Sequence, residues 1–481
     1  MKKRGQGRFG DRLHYDEQHE MGVTEDIVRF VDETRFDALP DEVVFRTKTL
    51  IADAIGTMLA GSCEDGSRIL QQYLKQSGGR EDATVIAAGF KGCASAAALA
   101  NAAAGHALDF DSIQLSSWPG TAHGIRIHPT VPALAAAMAV GEPRGISGKF
   151  LILACVVGIE VASRVTEAIP PDCYQVAYQS TATMGGLGAA AAAGKILGLD
   201  QEQLMRAMGL AATMAGGLRE NFGTMTKSFH SGRAAEAGVL ATGLAESGFT
   251  SAPNILEAHR GFFLAMGGKH DPNQISGKLG RPFFIEDPGL HIKRYPCAIL
   301  THPSIKALIE LAEAHDLAAE KIRRLDVGVS EVVTSTLNHP EPKTGLEGKF
   351  SVAFPLALAL RKRDVGLNDF TDENVNDPKV RALMNKITVR TDPKLQESGG
   401  NEVTAKLTIE LEDGQRIERL ATLEKGKAQK WISESELERK FLACAERVFP
   451  ADRAKQTFDM LLRLELVENI KPLTELVRMS A

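Results

Sequence analysis

Alanine and glycine recur at helical spacing through most of the first 280 residues, and this limits the fold more than any other feature of the chain. The runs Ala94–Leu108, Thr181–Gly198 and Glu202–Gly216 carry it most strongly. Alanine has the highest helix propensity, and its small side chain lets neighbouring helices approach closely. A helix built this way has no broad apolar stripe and is stable when buried on most sides. The pattern therefore predicts a compact bundle with buried central helices. Around them lie more conventional segments. Pro40-Asp-Glu-Val opens one helix with proline and acids in its first turn. Its apolar face runs Val44, Leu50, Ile51, Ile55, Met58 and Leu59, and Gly61 ends it. A further helix is predicted over Ser147–Val165, with Glu160 and Arg164 as a supporting i, i+4 pair.

The texture changes near Arg281. Leu325–Ser330, Lys386–Thr391 and Val403–Leu411 alternate apolar and polar residues as half-buried strands do. Glu412-Asp-Gly-Gln reads as a hairpin turn before Arg416-Ile-Glu-Arg-Leu. With helices expected at His302–His315 and Ser351–Arg361, residues 281–430 form an α+β insert. Ser433-Glu-Ser-Glu436 is a capping box, and residues 431–481 return to helix, which is expected to rejoin the helical domain of residues 23–280. The fold class predicted is mainly α. Residues 1–22 are basic and polar, lack an apolar core and gain acids early, so a flexible tail is expected rather than a targeting segment.

A net charge of −5 and 6% aromatics argue against a nucleic-acid partner. No apolar run is long enough to span a bilayer. The six cysteines are scattered without a C-x-x-C, which fits neither zinc nor iron–sulfur spacing, so no metal is expected. Reduced thiols in a cytoplasmic protein are the simplest reading.

The stretch Gly223–Gly238 places Lys227, His230 and Arg233 at i, i+3 and i+6 where a small-residue helix begins. Helix starts favour acids, and here none comes before Glu236. Backbone N–H groups with these three bases would cradle a carboxylate or phosphate; the alternative is a solvated basic helix start.

Asp109 and Asp111 fall at the end of an alanine-rich helix, facing the negative end of its dipole. That placement raises a carboxyl pKa and can prepare a general acid or base, although aspartate is also a common turn residue. His106 is three residues before Asp109, close enough to touch it on one helical face. His128, before Pro129, lies in an extended segment and is a better candidate than His123. Lys293, Arg294 and His302 add cationic groups at the entry to the insert. Asp109, His128 and Lys227 together suit proton transfer beside a carboxylate. Gly185-Gly-Leu-Gly188…Gly194-Lys195 resembles a phosphate loop but has five intervening residues and no Ser/Thr after the lysine. It reads instead as a glycine-allowed contact between helices.

In order, Leu59-Ala-Gly61, Ala107-Leu-Asp-Phe-Asp111, His128-Pro129, Gly158-Ile-Glu160, Gly223-Thr-Met-Thr-Lys227, His230-Ser-Gly-Arg-Ala-Ala235, Lys293-Arg-Tyr-Pro-Cys297 and His302-Pro303 resemble the MmgE/PrpD family over residues 24–475. That family includes 2-methylcitrate dehydratases, cis-aconitate decarboxylases and iminodisuccinate epimerases. The resemblance implies a large all-helical domain built from both chain ends and a smaller α+β lid. It also implies a site between them, no cofactor, a small di- or tricarboxylate substrate and a homodimer. It makes Asp109, His128 and Lys227 the catalytic positions. The substrate-binding set expected is Gln179, Tyr178, His230, Arg233, Lys293, Arg294 and His302.

Two positions depart from the family's decarboxylases. Gln179, in Ala177-Tyr-Gln-Ser-Thr181, stands where they carry a histidine, and Phe354 stands where a lid tyrosine is expected. Glutamine and phenylalanine cannot exchange a proton near neutral pH. Tyr178 offers a replacement hydroxyl. A lyase of dehydratase or decarboxylase type is the expected activity, with a dicarboxylate epimerase or a non-catalytic carboxylate-binding homologue as alternatives.

Overall fold

The computed structural model describes residues 22–115, 125–170, 177–397, 402–424 and 432–479. The expected N-terminal tail, apart from Gly22, lies outside these residues, as do His123 and Cys173. The protein is mainly α, with its strands gathered in two short hairpins and one four-stranded sheet.

The alanine-rich segments occupy the middle. Every residue of the helix Thr130–Gly141 is buried, as expected of a helix without a polar face. It packs with the helices Ala94–Ala107, Gly148–Ala168, Gly185–Leu197 and Thr226–Glu246. Glycine is required where the backbones cross. A Cβ on Gly158 would lie 2.7 Å from the Gly188 carbonyl oxygen, and one on Gly188 would lie 2.5 Å from that of Gly158. The glycines that imitate a phosphate loop thus serve helix packing. The expected single segment Thr181–Gly198 is interrupted, with helices at Ser180–Thr183 and Gly185–Leu197.

Peripheral helices follow their local signals. Val23–Glu33 buries Val23, Ile27, Val28 and Val31 and opens on Glu25 and Asp26. Asp41–Gly61 begins after Pro40. Ser147 caps Gly148–Ala168 by accepting from the Phe150 N–H, and Ser433 with Glu436 forms a reciprocal capping box. The Glu160–Arg164 pair is buried rather than a surface support. Glu160 accepts from the N–H groups of Gly280 and Phe284, and Arg164 donates to the Pro282 carbonyl.

Packing in the helical core continues past the expected boundary at 281. Phe283, Phe284, Ile285 and Leu290 pack in the helical core, and the second core begins at Cys297. Leu437, Phe441, Phe458, Leu464 and Leu473 from the C-terminal helices share the core of Ile27, Leu50 and Ile55.

The second core is built on strands β5 (Ile322–Val329), β6 (Ile387–Thr391), β7 (Glu402–Leu411) and β8 (Arg416–Glu424) in the order β6-β5-β7-β8. The β5–β6 pair is parallel and the other two are antiparallel, with Leu325 opposite Ile387 and Ile409. Helices His302–Ala314 and Ala353–Lys362 cover the sheet. The hairpins β1 (Ala83–Thr84) with β2 (Lys91–Gly92), and β3 (Gln114–Leu115) with β4 (Ile125–Ile127), have too few residues to show an alternating pattern. Ile113, Leu115 and Phe222 come from the helical part of the chain yet pack in the second core. The seam between the two cores therefore runs beside Asp109 and Lys227.

Candidate active site

The site is organised by the turn after the Ala94–Ala107 helix. Asp109 has φ of +51°, a left-handed conformation that non-glycine residues rarely adopt. That turn separates the two carboxylates. Asp109 accepts from Lys227 on one oxygen and from Lys293 at 2.8 Å on the other. Asp111 lies 3.0 Å from His106 Nδ1 and 3.1 Å from His128 Nδ1. The expected His106–Asp109 pair is thus replaced by His106–Asp111. The helix ends at Ala107, so i, i+3 spacing no longer applies across Asp109.

The predicted rise in the Asp109 pKa is also corrected. Burial pushes this carboxyl up, but the Lys227 and Lys293 ammoniums outweigh burial and hold it well below the usual carboxylate range. Asp111 is likewise depressed, because the two imidazoles outweigh its burial. Burial pushes Lys227 down, opposed by Asp109. Its ammonium lies over Phe222 and Phe350, 5.7 and 5.4 Å from the ring centroids.

Burial lowers His106 to about 4 and also lowers His128, so both imidazoles are neutral near pH 7. Hydrogen bonding assigns the His106 tautomer. His106 Nδ1 faces a carboxylate that can only accept, so it carries the proton and donates to Asp111. Its Nε2 then accepts from the Gln179 amide nitrogen at 3.3 Å, and the Gln179 oxygen accepts from His230 Nδ1 at 2.5 Å. Gln179 thus joins two neutral imidazoles, a place where one group must both donate and accept. For His128, Nδ1 is turned toward Asp111, which leaves Nε2 to take up a proton. The His128 main chain is held by its N–H donating to Thr181 Oγ1 at 3.1 Å.

Asp109, His128, Gln179, Lys227 and Lys293 line one pocket, together with Thr181, Phe222, Thr336 and Phe350. Its enclosed volume of about 20 Å³ is room for one water. Asp109, Lys227 and Phe350 also border a cleft of about 530 Å³ that runs between residues 63–67, 223–228 and 344–350. The ion pair is therefore approached from the seam between the two cores.

Other predicted residues lie elsewhere. Arg233 is exposed and paired with Glu236, because six residues turn a helix by about 120° and carry it off the Lys227 face. Arg294 is paired with Glu436 at 3.1 Å, its side chain 54% exposed. Tyr178 is 37% exposed and does not line the pocket. His230 is buried behind Gln179, outside the lining. His302 is buried with Nε2 donating to the Cys297 carbonyl at 3.3 Å. Phe354 is fully buried against Phe370; Phe350 is the aromatic of that segment that faces the site. Phe222, Phe350 and Thr336 were missed, since apolar and hydroxyl residues carry no chemical signature in sequence.

The sequence shows no metal spacing, yet among the described residues the fold gathers one possible ligand set. His106, Asp111 and His128 each offer a ligand atom, all within 4.8 Å of one another. His106 Nδ1 is hydrogen-bonded to the Asp111 carboxylate, whereas His128 Nδ1 lies 3.1 Å from it without a hydrogen bond among the described residues. Cys63, Cys93, Cys155, Cys297 and Cys444 are free thiols. No helix among the described residues is long and apolar enough to cross a membrane.

Two family models match the chain, the MmgE/PrpD N-terminal domain over residues 25–275 and the MmgE/PrpD C-terminal domain over residues 295–466. Curated proteins similar to it include the cis-aconitate decarboxylase of Homo sapiens, 27% identical over 95% of this chain and 94% of that protein. The cis-aconitate decarboxylase of Aspergillus terreus is 29% identical over 96% of this chain and 97% of that protein. That of Mus musculus is 26% identical over 95% and 93%.

Proposed function

The chain belongs to the MmgE/PrpD family, and from that premise we propose that it is a lyase of decarboxylase or dehydratase type acting on a small tricarboxylate. The observation that carries this reading is the Asp109 carboxylate held between the Lys227 and Lys293 ammoniums in the same pocket as neutral His128. Two lysines around one carboxylate leave a surplus positive charge to meet a substrate carboxylate. His128 Nε2 takes or returns the proton at the carbon beside that carboxylate, the Asp111 carboxylate orienting its ring from Nδ1. Lys227 stabilises the enolate-like charge as it develops. In this assignment the chain's own groups carry each proton, and no cofactor is called on.

Similarity to proteins named for cis-aconitate makes that acid the first substrate to try. The purified protein is incubated in deuterated water with cis-aconitate, citrate and methylcitrate, and products are followed by NMR. Loss of CO2 or water supports the reading. Deuterium entering a dicarboxylate such as iminodisuccinate, with no loss of CO2 or water from the panel, would mark an epimerase instead. Ligand-induced stabilisation without turnover would mark a binding protein.

The reading extends to a cytoplasmic homodimer. Met225 at the N-cap, with Phe229 and Leu240, forms an exposed stripe along the Thr226–Glu246 helix, and Ile69 and Tyr73 are exposed on the helix Asp65–Ser77. A stripe of this kind suits a second copy of the chain. Sedimentation giving a monomer at micromolar concentration would exclude it.

A further inference from the structure

The backbone of the Asp109 turn is held by three lysines from three separate parts of the chain. Lys349 donates to the Leu108 carbonyl at 3.1 Å, Lys293 to the Asp109 carbonyl at 2.9 Å and Lys440 to the Phe110 carbonyl at 2.8 Å. Three consecutive carbonyls past the end of the Ala94–Ala107 helix thus each meet an ammonium. Cations suit this end of a helix, where carbonyls lack intrahelical partners. Glycine usually relieves a left-handed residue at such a position, and this chain has Asp109 there instead.

Lys349 and Lys440 also reach the segment that carries Lys293. Lys349 donates to the Pro296 carbonyl at 3.0 Å and Lys440 to the Lys293 carbonyl at 2.9 Å. The two therefore tie the Asp109 turn to the segment carrying Lys293 on both sides of the ion pair. Lys440 is anchored by Asp53 at 2.5 Å, on the helix Asp41–Gly61. Lys349 is 2% exposed, and its ammonium lies 4.6 Å from the Phe370 ring centroid. Neither lysine lines the small Asp109–His128 pocket, although Lys349 borders the cleft of about 530 Å³ that leads to the ion pair.

We propose that Lys349 and Lys440 are positioning residues that hold Asp109 in its left-handed conformation, so that its carboxylate meets Lys227 and Lys293 together. The role rests on the reading that this ion pair faces the substrate, and it acts through Asp109 rather than through contact with the reacting atoms. Lys440 joins the C-terminal helix, and Lys349 the insert, to one turn of the helical domain.

The test compares Lys349→Met, Lys349→Arg and the double variant Asp53→Asn/Lys440→Met, in which no unpaired buried carboxylate remains. Crystal structures read the Asp109 φ, and kinetics read kcat and KM separately. The expected result is loss of the left-handed φ and a tenfold or greater fall in kcat with KM within threefold. Lys349→Arg should recover most of the kcat. If the wild type turns over none of the acids tried, the functional reading fails while the φ measurement still decides this one. An unchanged φ with kcat within twofold of wild type overturns the proposal. So does a fall in kcat that Lys349→Arg fails to recover, or insolubility of both Met variants, which would mark a purely structural role.

Discussion

Lys293 donates to both the carboxylate and the backbone carbonyl of Asp109, at 2.8 and 2.9 Å, so one ammonium fixes the charge and the chain direction of the same residue. The two residues are 184 positions apart in sequence. Lys227, 118 positions from Asp109, completes the carboxylate's coordination.

Asp109→Asn is expected to leave two buried ammoniums without their counter-charge. Breaking a buried pair from one side costs about 3–5 kcal/mol. The urea midpoint should fall accordingly, with kcat down by about 100-fold or more. A variant with wild-type kcat would remove Asp109 from the mechanism.

His128→Asn removes the group assigned to proton transfer while keeping a polar side chain. A loss of about 100- to 10,000-fold in kcat/KM is expected. Because burial lowers the His128 pKa, the wild-type enzyme should hold its neutral-imidazole activity below pH 6.5, the ordinary histidine value. A pH–rate profile already falling above pH 6.5 on its acid side contradicts this assignment.

Burial lowers His106 and His291 to about 4 and His302 to about 3. A depressed histidine is neutral in the folded state, whereas the unfolded chain takes up the proton below about pH 6.5. The stability each contributes is complete above pH 6.5 and is lost as pH falls toward the folded value, by about 1.4 kcal/mol per pH unit. Melting temperature should therefore drop steeply between pH 6.5 and 4. His291→Phe should shallow that slope. A melting temperature constant from pH 7 to 5 would be incompatible with three neutral buried imidazoles.

Gln179→Glu replaces an amide that donates to His106 and accepts from His230 with a group that, when ionised, only accepts. The new carboxylate can keep its bond to His230 but must gain a proton, or protonate His106, to keep the other. The variant should lose less stability at pH 5.5 than at pH 8.5, each measured against wild type by thermal melts. Equal losses at both values would show that the amide orientation is not what joins the two rings.

Gly158→Ala places a methyl 2.7 Å from the Gly188 carbonyl oxygen, a backbone atom that cannot move without parting two central helices. A loss of about 1–3 kcal/mol is expected from overpacking. Chemical denaturation measures it, and a neutral effect would mean that the bundle is looser than described.

Much of the helical architecture was legible because it depends on neighbours in sequence. Pro40 with Asp41 and Glu42, the Ser433–Glu436 box and the alternation in Val403–Leu411 each act within one or two turns of chain. The glycines at 158 and 188 were readable as packing positions, although only the fold shows that they face one another. Asp109, His128, Lys227 and Lys293 were individually visible as charged or titratable groups in unusual places, Gln179 only as a departure from the family pattern, and all five line one pocket. Arg233 and Arg294 carried the same kind of signal and point to solvent, where Glu236 and Glu436 meet them. Lys440 carried none, being one lysine on an amphipathic helix.

The sequence by itself determined most of the longer helices and the strands of the larger sheet, and which segments hold chemistry, since propensity, capping and periodicity are set by residues a few positions away. Tertiary structure alone decided which charge meets which. The left-handed turn at Asp109 sends one carboxylate to two lysines and the next to two histidines. Those pairings, across as many as 184 positions, follow from buried charges having to find partners once packing excludes water, a condition that no local pattern records.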